Sequence, residues 1–429
     1  MSSPKPHTVL YNFSSLGLLQ VANFLLSLVV IPYVLRVVGA DGFGVIAVAQ
    51  VLIFYLSVTA DYGFSRTAIR DVALYREDKQ RISKVFFTVL ASKLLICILA
   101  FLLLLLLVMI VPLFRNNSAV YLLGFSFVIG QAVLVNWFFQ GLEKMHYMAI
   151  ASLISRLLFV LLVFFFLKEK QQLSFYIFFM GLGNVVVGLI SIFIIIKKYQ
   201  LEFIRPRWTD IVYEFKTGWP VTITNLSQIT IQYIGVFILR LFTNDVVVGY
   251  YSIAERVYFA MKLMLDVFSQ VAYPRVCILL QQGTGSVKNF FRTIYLPLLA
   301  VVIAGAGLIA VFALLVIHFF TGDHHDNAAL LLRILCAAVV IVCLQIPASL
   351  VLLAGDHRRH YLRVYTAGTF VNIATNLSLA PLWQASGTVL SVIITELFIM
   401  GYLYMEVFRL YRNQPGIGQE AAKPVINDQ

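Results

Sequence analysis

LLICILAFLLLLLLVMIV, residues 94–111, runs for eighteen residues without a charge or an amide, and it begins directly after Lys93. An α-helix needs about 20 apolar residues to cross the hydrocarbon of a bilayer, so this run reads as a membrane span with a cation set into it. The rest of the chain repeats the theme. Of 429 residues, 61% are hydrophobic, 14% aromatic and only 12% charged, with a mean hydropathy of +0.90. Soluble domains are nearer half apolar and a quarter charged. The composition therefore predicts an all-α integral membrane protein.

Spans of this length can be placed twelve times, at 12–36, 43–65, 85–112, 119–140, 148–167, 174–196, 219–241, 247–270, 292–319, 328–353, 364–382 and 387–408. An even number puts both termini on one side. Basic residues choose the side, because cytoplasmic segments retain Lys and Arg. With the N-terminus inside, inner segments carry 23 of the 32 Lys and Arg residues and outer segments five. Both termini are expected in the cytoplasm. The net charge of +12 is thus a topology signal, and no nucleic-acid partner is expected.

Other signals are plain. Cys97, Cys277, Cys336 and Cys343 sit in or beside apolar spans without metal-ligand spacing and read as packing residues. MSSPKPHTVLYNF lacks the pattern of a cleaved signal peptide. GDHHDN, 322–327, reads as a solvated turn before a metal site, and Gly181-Leu182-Gly183 as helix packing before a phosphate loop. No loop exceeds about 25 residues, too short for a soluble catalytic domain. No enzyme, cofactor or metal is expected, and the tail 411–429 is expected to be disordered.

A second stretch complicates the first. ITNLSQITIQYIGVFILR, residues 223–240, is apolar enough to enter a membrane, yet it carries Asn225, Gln228, Gln232 and Arg240. At 100° per residue these four share an arc of about 120°. Lipid offers no hydrogen bonds, so such a stripe must face other helices or a wet cavity. Asn12, Gln20, Asn23 and Ser27 make a similar stripe; Gln50, Ser57 and Asp61 another; Tyr251, Glu255, Tyr258, Lys262, Asp266 and Ser269 a fourth; Asn372 and Asn376 lie one turn apart.

The stripes recur because the sequence does. YVLRVVGADGFGVIAVAQ, 33–50, aligns with FILRLFTNDVVVGYYSIAE, 237–255. At an offset of 204, Leu35-Arg36 meets Leu239-Arg240 and Asp41 meets Asp245; after one inserted residue, Gln50 meets Glu255 and Asp61 meets Asp266. Two six-helix lobes, residues 1–208 and 209–410, around a central cavity are the expected architecture. Basic residues in or beside spans are Arg36, Lys93, Arg156, Arg240, Arg256, Lys262 and Arg333, against the acids Asp61, Glu255, Asp266 and Glu396. This balance predicts a cationic cavity for an anionic substrate, lined also by Asn12, Gln20, Asn23, Gln50, Asn225, Gln228, Gln232, Asn372 and Asn376. The plainer reading stands beside it: Asn and Gln can be interhelical glue, Lys262 and Asp266 a local ion pair, and Arg36 and Arg240 interfacial anchors.

WFFQGLEKMHYMAIASLISR, 137–156, resembles a segment of the Wzx-type O-antigen and polysaccharide flippases, in the MATE-related exporter superfamily. PYVLRVVGADGFG, 32–44, DYGFSRTAIRDVALYREDKQRI, 61–82, and NLSLAPLWQASGTVLSVIITEL, 376–397, resemble the same family in order and position. The resemblance implies a MATE-like fold. It also implies passage of a polyprenyl-diphosphate-linked oligosaccharide across the bacterial inner membrane by alternating access, alongside polysaccharide polymerase machinery. Asp61, Glu255, Asp266 and Glu396 become candidates for coupling to a sodium or proton gradient. A cation-coupled multidrug exporter, and from another class a membrane glycan polymerase or ligase, remain open.

Overall fold

The computed structural model describes residues 6–323 and 325–413, without the side chains of 6–25, 27, 28, 66, 220, 281, 284, 411 and 413. The expected cavity residues Asn12, Gln20 and Asn23, and the tail beyond residue 413, lie outside the described residues. Every regular element among the described residues is helical. The chain forms two compact units, Met1–Ile229 and Thr230–Gln429.

The first unit contains α1 (Pro6–Asp61), α2 (Phe64–Leu74), α3 (Lys79–Ile110), α4 (Pro112–Arg115), α5 (Ser118–Val133), α6 (Asn136–Gly141), α7 (Met145–Phe166) and α8 (Leu173–Tyr199). It also holds the first part of α9 (Trp208–Phe242). Helix α3 shows why these elements belong in lipid. One stripe, including Lys93, Ile96, Ala100 and Leu104, is buried, while Ile98, Leu102, Leu106 and Met109 are exposed. An apolar face of that extent fits hydrocarbon and not water. The expected glycine packing is present: a Cβ on Gly181 would lie 2.2 Å from the Phe127 nitrogen and one on Gly183 2.5 Å from the Ser155 carbonyl oxygen. Only glycine lets α8 approach α5 and α7 this closely.

The start of α9 is fastened to the turn between α1 and α2. Tyr62, Phe64 and Phe215 form an aromatic cluster with ring centroids 5.0–5.3 Å apart. Thr67 donates to Glu214 at 3.0 Å, and Lys84 pairs with Asp210 at 2.8 Å.

The second unit holds the rest of α9, then α10 (Asp245–Gln281), α11 (Thr284–Phe290), α12 (Leu296–Val311), α13 (Ala313–Thr321), α14 (Asp326–Ala354) and α15 (Arg358–Asn413). Helix α14 packs against α10, α12 and α15. It carries Pro347 in its interior. Pro347 has no N–H for the carbonyl of Cys343, four residues earlier, and disturbs the turn before it. Tyr295 donates its hydroxyl to the Cys343 oxygen at 3.0 Å, and Tyr404 donates to the Leu344 oxygen at 2.9 Å. Two tyrosines thus satisfy carbonyls that would be costly to leave bare.

Ten helical segments among the described residues are long and apolar enough to cross a membrane, where twelve were expected. Expected span 1 lies mostly before Val29, outside the residues counted, and expected spans 11 and 12 count as one segment. Expected spans 1 and 2 fall within α1, interrupted at Gly39 (φ 75°, ψ 173°), and spans 11 and 12 within α15, interrupted at Gln384 (φ 50°, ψ −128°). At Gln384 the chain folds back: Asn372 bonds Thr395, and Gly368 abuts Ile399. The four cysteines are free, and no group of three or more His, Cys, Asp and Glu able to hold a metal occurs among the described residues.

Candidate functional site

In the second unit a small pocket, with a cavity volume of about 20 Å³, opens among α9, α10, α14 and α15, lined by Gln232, Glu255, Lys262, Asn372, Thr395 and Glu396 together with Tyr251, Tyr258 and apolar neighbours. Helical spacing presents Tyr251, Glu255, Tyr258 and Lys262 on one face of α10, and this face meets α15. The centre is Glu396. Its Oε1 accepts from Tyr258 at 3.1 Å and Lys262 at 3.3 Å, while Gln345 donates to its Oε2 at 2.8 Å and to its backbone oxygen at 2.9 Å. Glu396 is buried, with 6% of its side chain exposed, whereas 30% of Lys262 is exposed. A carboxylate held by three donors fixes the lysine, and the lysine keeps open N–H capacity toward the pocket.

The expected Lys262–Asp266 pair is replaced by Lys262–Glu396. Within one helix, lysine ahead of the acid is the weaker order. Glu396 arrives from another helix, already aimed by Gln345, while Asp266 remains exposed. Two turns before Lys262 on α10, the buried Glu255 accepts from Tyr251 at 3.0 Å and has no ion pair among the described residues. Asn372 donates to Thr395 at 3.2 Å, and the fully buried Asn376 donates to the Asn372 backbone at 3.0 Å. Asn376 thus joins turns of α15 and is not among the pocket-lining residues.

The first unit carries a second buried pair. Lys93 Nζ lies 2.7 Å from Asp61 Oδ1 and 3.0 Å from the Ser65 hydroxyl, which donates to Asp61 at 2.6 Å. Here the cation is enclosed, at 2% side-chain exposure, and the acid is 30% exposed.

Of the seven basic residues expected in one cavity, the pocket takes Lys262. Lys93 is enclosed with Asp61. Arg240 is held by both carboxylate oxygens of Asp245, at 2.5 and 3.2 Å, and by the Thr243 carbonyl at 3.0 Å. Arg156 lies 5.5 Å from the centre of the Phe159 ring. Arg333 is exposed and donates to the Ala310 oxygen at 3.2 Å, a carbonyl left by the break between α12 and α13. Arg36 is exposed, and Arg256 is half-buried beside Glu255 and Tyr233. Gln50 is buried with its amide 3.5 Å from the Met180 sulfur. In the first unit's part of α9, Asn225 is half-buried and Gln228 exposed. The pocket itself holds two carboxylates and one lysine, so its polarity comes from an oriented network and not from an excess of positive charge. Sequence reading missed Gln345, whose signal was an amide two residues before a proline in an apolar span.

The profile of a family described as polysaccharide biosynthesis protein matches residues 9–279. An Escherichia coli (strain K12) protein described as "Putative O-antigen transporter" is 23% identical over 404 residues, spanning 92% of this chain and 96% of that one. A Shigella dysenteriae protein of the same description is 25% identical over 398 residues, spanning 92% and 99%. Among solved structures, the lipid II flippase MurJ in an inward closed conformation is similar at a TM-score of 0.73 and 14% identity, over 95% of this chain and 90% of that one. An inward-facing multidrug-resistance MATE family transporter of the MOP superfamily is similar at 0.62 and 15%, over 87% and 94%. These two likenesses show a shared fold.

Proposed function

The chain belongs to the polysaccharide biosynthesis protein family, and from that premise we propose that it is a flippase for a polyprenyl-diphosphate-linked oligosaccharide. The repeat unit, of O-antigen or a related surface polysaccharide, would move from the cytoplasmic to the outer leaflet of the bacterial inner membrane. A diphosphate-sugar head cannot enter hydrocarbon unaided, because an uncompensated charge is prohibitively costly there. The observation that carries the reading is the half-open Lys262, positioned by Glu396 and Gln345 beside the amides Gln232 and Asn372. An ammonium with open N–H capacity can take a phosphate oxygen, and neighbouring amides can replace water at hydroxyls.

In this reading the lipid tail stays in the bilayer, both termini are cytoplasmic, and the two units alternate access by rocking. Arg36, Arg156, Arg240, Arg256 and Arg333 serve the anionic head only if the working cycle releases their present partners. Asp61, Glu255, Asp266 and Glu396 remain the candidates for proton or sodium coupling, and delivery to a polymerase is the expected next step.

The test is the membrane face on which labelled lipid-linked repeat units accumulate in a strain lacking the gene. Cytoplasmic accumulation, relieved by the restored gene but not by a K262A copy, supports the reading. Normal arrival outside, with only polymer length or attachment changed, would point instead to a polymerase or ligase. Glu255, buried without an ion pair among the described residues, favours a second reading as a cation-coupled exporter. Drug resistance that follows the gene while repeat units cross normally would select that one.

A further inference from the structure

A second and larger pocket, with a cavity volume of about 230 Å³, lies in the second unit where α9 turns into α10, α13 into α14, and α15 folds back on itself. Tyr250, Asn327, Trp383, Gln384 and Ser386 supply its aromatic and polar lining. It is separate from the Lys262 pocket and shares no lining residue with it. On the charge-based topology this end of the unit faces outward.

Two features mark it as built for a ligand. The first is the backbone at Gln384. A φ of 50° with ψ −128° is the first corner of a type II′ turn, a position glycine takes without strain and glutamine does not. The turn is tight: a Cβ on Gly387 would fall 2.1 Å from the Leu379 oxygen. A glycine at 384 would close the same turn more cheaply, so the glutamine side chain has to be wanted for something else. Inside the fold it does nothing, since Gln384 is exposed and its amide has no hydrogen bond among the described residues. The second feature is the company it keeps. Asn327 and Ser386 likewise have no side-chain hydrogen bond among the described residues, and the Trp383 ring is 56% exposed beside them. Tyr250 is braced by His325, through a 3.1 Å bond between hydroxyl and Nε2 and rings 4.3 Å apart.

We propose that this pocket is a carbohydrate subsite that receives a neutral hexose of the oligosaccharide as it emerges. The apolar C–H face of a pyranose packs on an indole or phenol ring. Its hydroxyls each need a donor and an acceptor, which amides and a serine supply without charge. No Lys, Arg, Asp or Glu occurs in the lining among the described residues, which distinguishes it from a phosphate site. A merely interfacial tryptophan would account for Trp383 but not for three unengaged polar side chains or the strained Gln384. The inference rests on the flippase reading for the source of the sugar; recognition of a hexose by the pocket stands or falls separately.

The experiment uses the full chain in nanodiscs, with Trp137, Trp208 and Trp219 replaced by Phe so that Trp383 reports alone. It is titrated with a panel of free hexose disaccharides carrying no lipid. A saturable change in emission is expected. Gln384→Gly should raise the melting temperature, by removing the strained residue, and weaken disaccharide binding about tenfold, as loss of one well-placed hydrogen bond would. Asn327→Leu should weaken binding without the stability gain. Saturation-transfer NMR on the unsubstituted chain gives the same reading should the Phe variant fold poorly. No saturable response to any disaccharide, or binding by Gln384→Gly and Asn327→Leu as tight as by the chain without those substitutions, overturns the subsite. Failure of the chain to move lipid-linked oligosaccharide would sink the flippase reading and leave the binding result intact.

Discussion

Two lysines lie among the helices of this protein, each with a carboxylate, and the pairs are inverted. At Lys93 the cation is enclosed and Asp61 is partly open; at Lys262 the cation is partly open and Glu396 is enclosed. The open member of a buried pair is the one able to meet a ligand; the enclosed member is spent on structure. Lys93 therefore ties α3 to the end of α1 and, through Ser65, to α2. Lys262, secured from behind by Glu396, Tyr258 and Gln345, is the lysine that can exchange part of its contact for an anion.

The largest expected effect breaks the first pair. Asp61→Ala leaves Lys93 charged and enclosed, which costs about 3–5 kcal/mol when one partner of a buried pair is lost. Thermal unfolding in detergent should show a steep drop. The double change Asp61→Leu with Lys93→Met should recover most of it, because removing both charges avoids the unpaired ion. An unchanged melting temperature in the single variant would mean that Lys93 reaches water and that the contrast is mistaken.

The next effect reads the second pair as function. Lys262→Ala leaves the enclosed Glu396 without its cation but with two of its three side-chain donors, so stability should fall in part and transport is compared at equal amounts of folded protein. Transport should fall about 10- to 100-fold, the scale of a lost hydrogen bond to a charged group. Lys262→Arg should restore part of it. Full transport by the alanine variant would remove the pocket from the substrate path. Gln345→Met is smaller again: it strips donors from Glu396 Oε2 and its backbone oxygen and should cost about 1 kcal/mol of stability. Its sharper consequence is a Lys262 held less firmly, read as weakened transport that Lys262→Ala does not worsen additively.

The same contrast shows what could be read before the fold was seen. Membrane class, helix positions and the stripe on α10 follow from apolar run length and a 3.6-residue period, which are local properties of the chain. Partner choice is not local. Nothing in the spacing of Lys262 and Asp266 says that a carboxylate more than a hundred residues later wins the lysine. Nor does an isolated Lys93 before a leucine run disclose that Asp61 turns in to meet it. Counting basic residues near spans does not disclose which of them are engaged: Arg240 is held by Asp245 and Arg333 by the Ala310 carbonyl. Gln345 was legible only as an amide near a proline; its role depends on the packing of α14 against α15, which brings Glu396 within its reach.

The smallest effect lies outside the spans, where the first unit grips the start of α9. Glu214 is buried, accepts from Thr67, and has Asp71 and Asp210 nearby, the latter paired with Lys84. Burial, helped by the two neighbouring acids and opposed by the Thr67 bond, raises its pKa above the ordinary 4.5. Burial also raises that of Asp71, against the pull of Arg70. A raised carboxyl holds its proton in the folded state where the unfolded chain has released it. Stability from this group is therefore complete below the ordinary value and declines as pH rises through the folded one. Unfolding profiles across mildly acidic pH should show that decline, and Glu214→Gln should flatten it, leaving a residue from Asp71. A profile unchanged by the substitution would mean that Glu214 is already ionised in place. The contact with α9 would then be held by the Tyr62–Phe64–Phe215 cluster and by the partly exposed Lys84–Asp210 pair, in contrast to the enclosed Lys93.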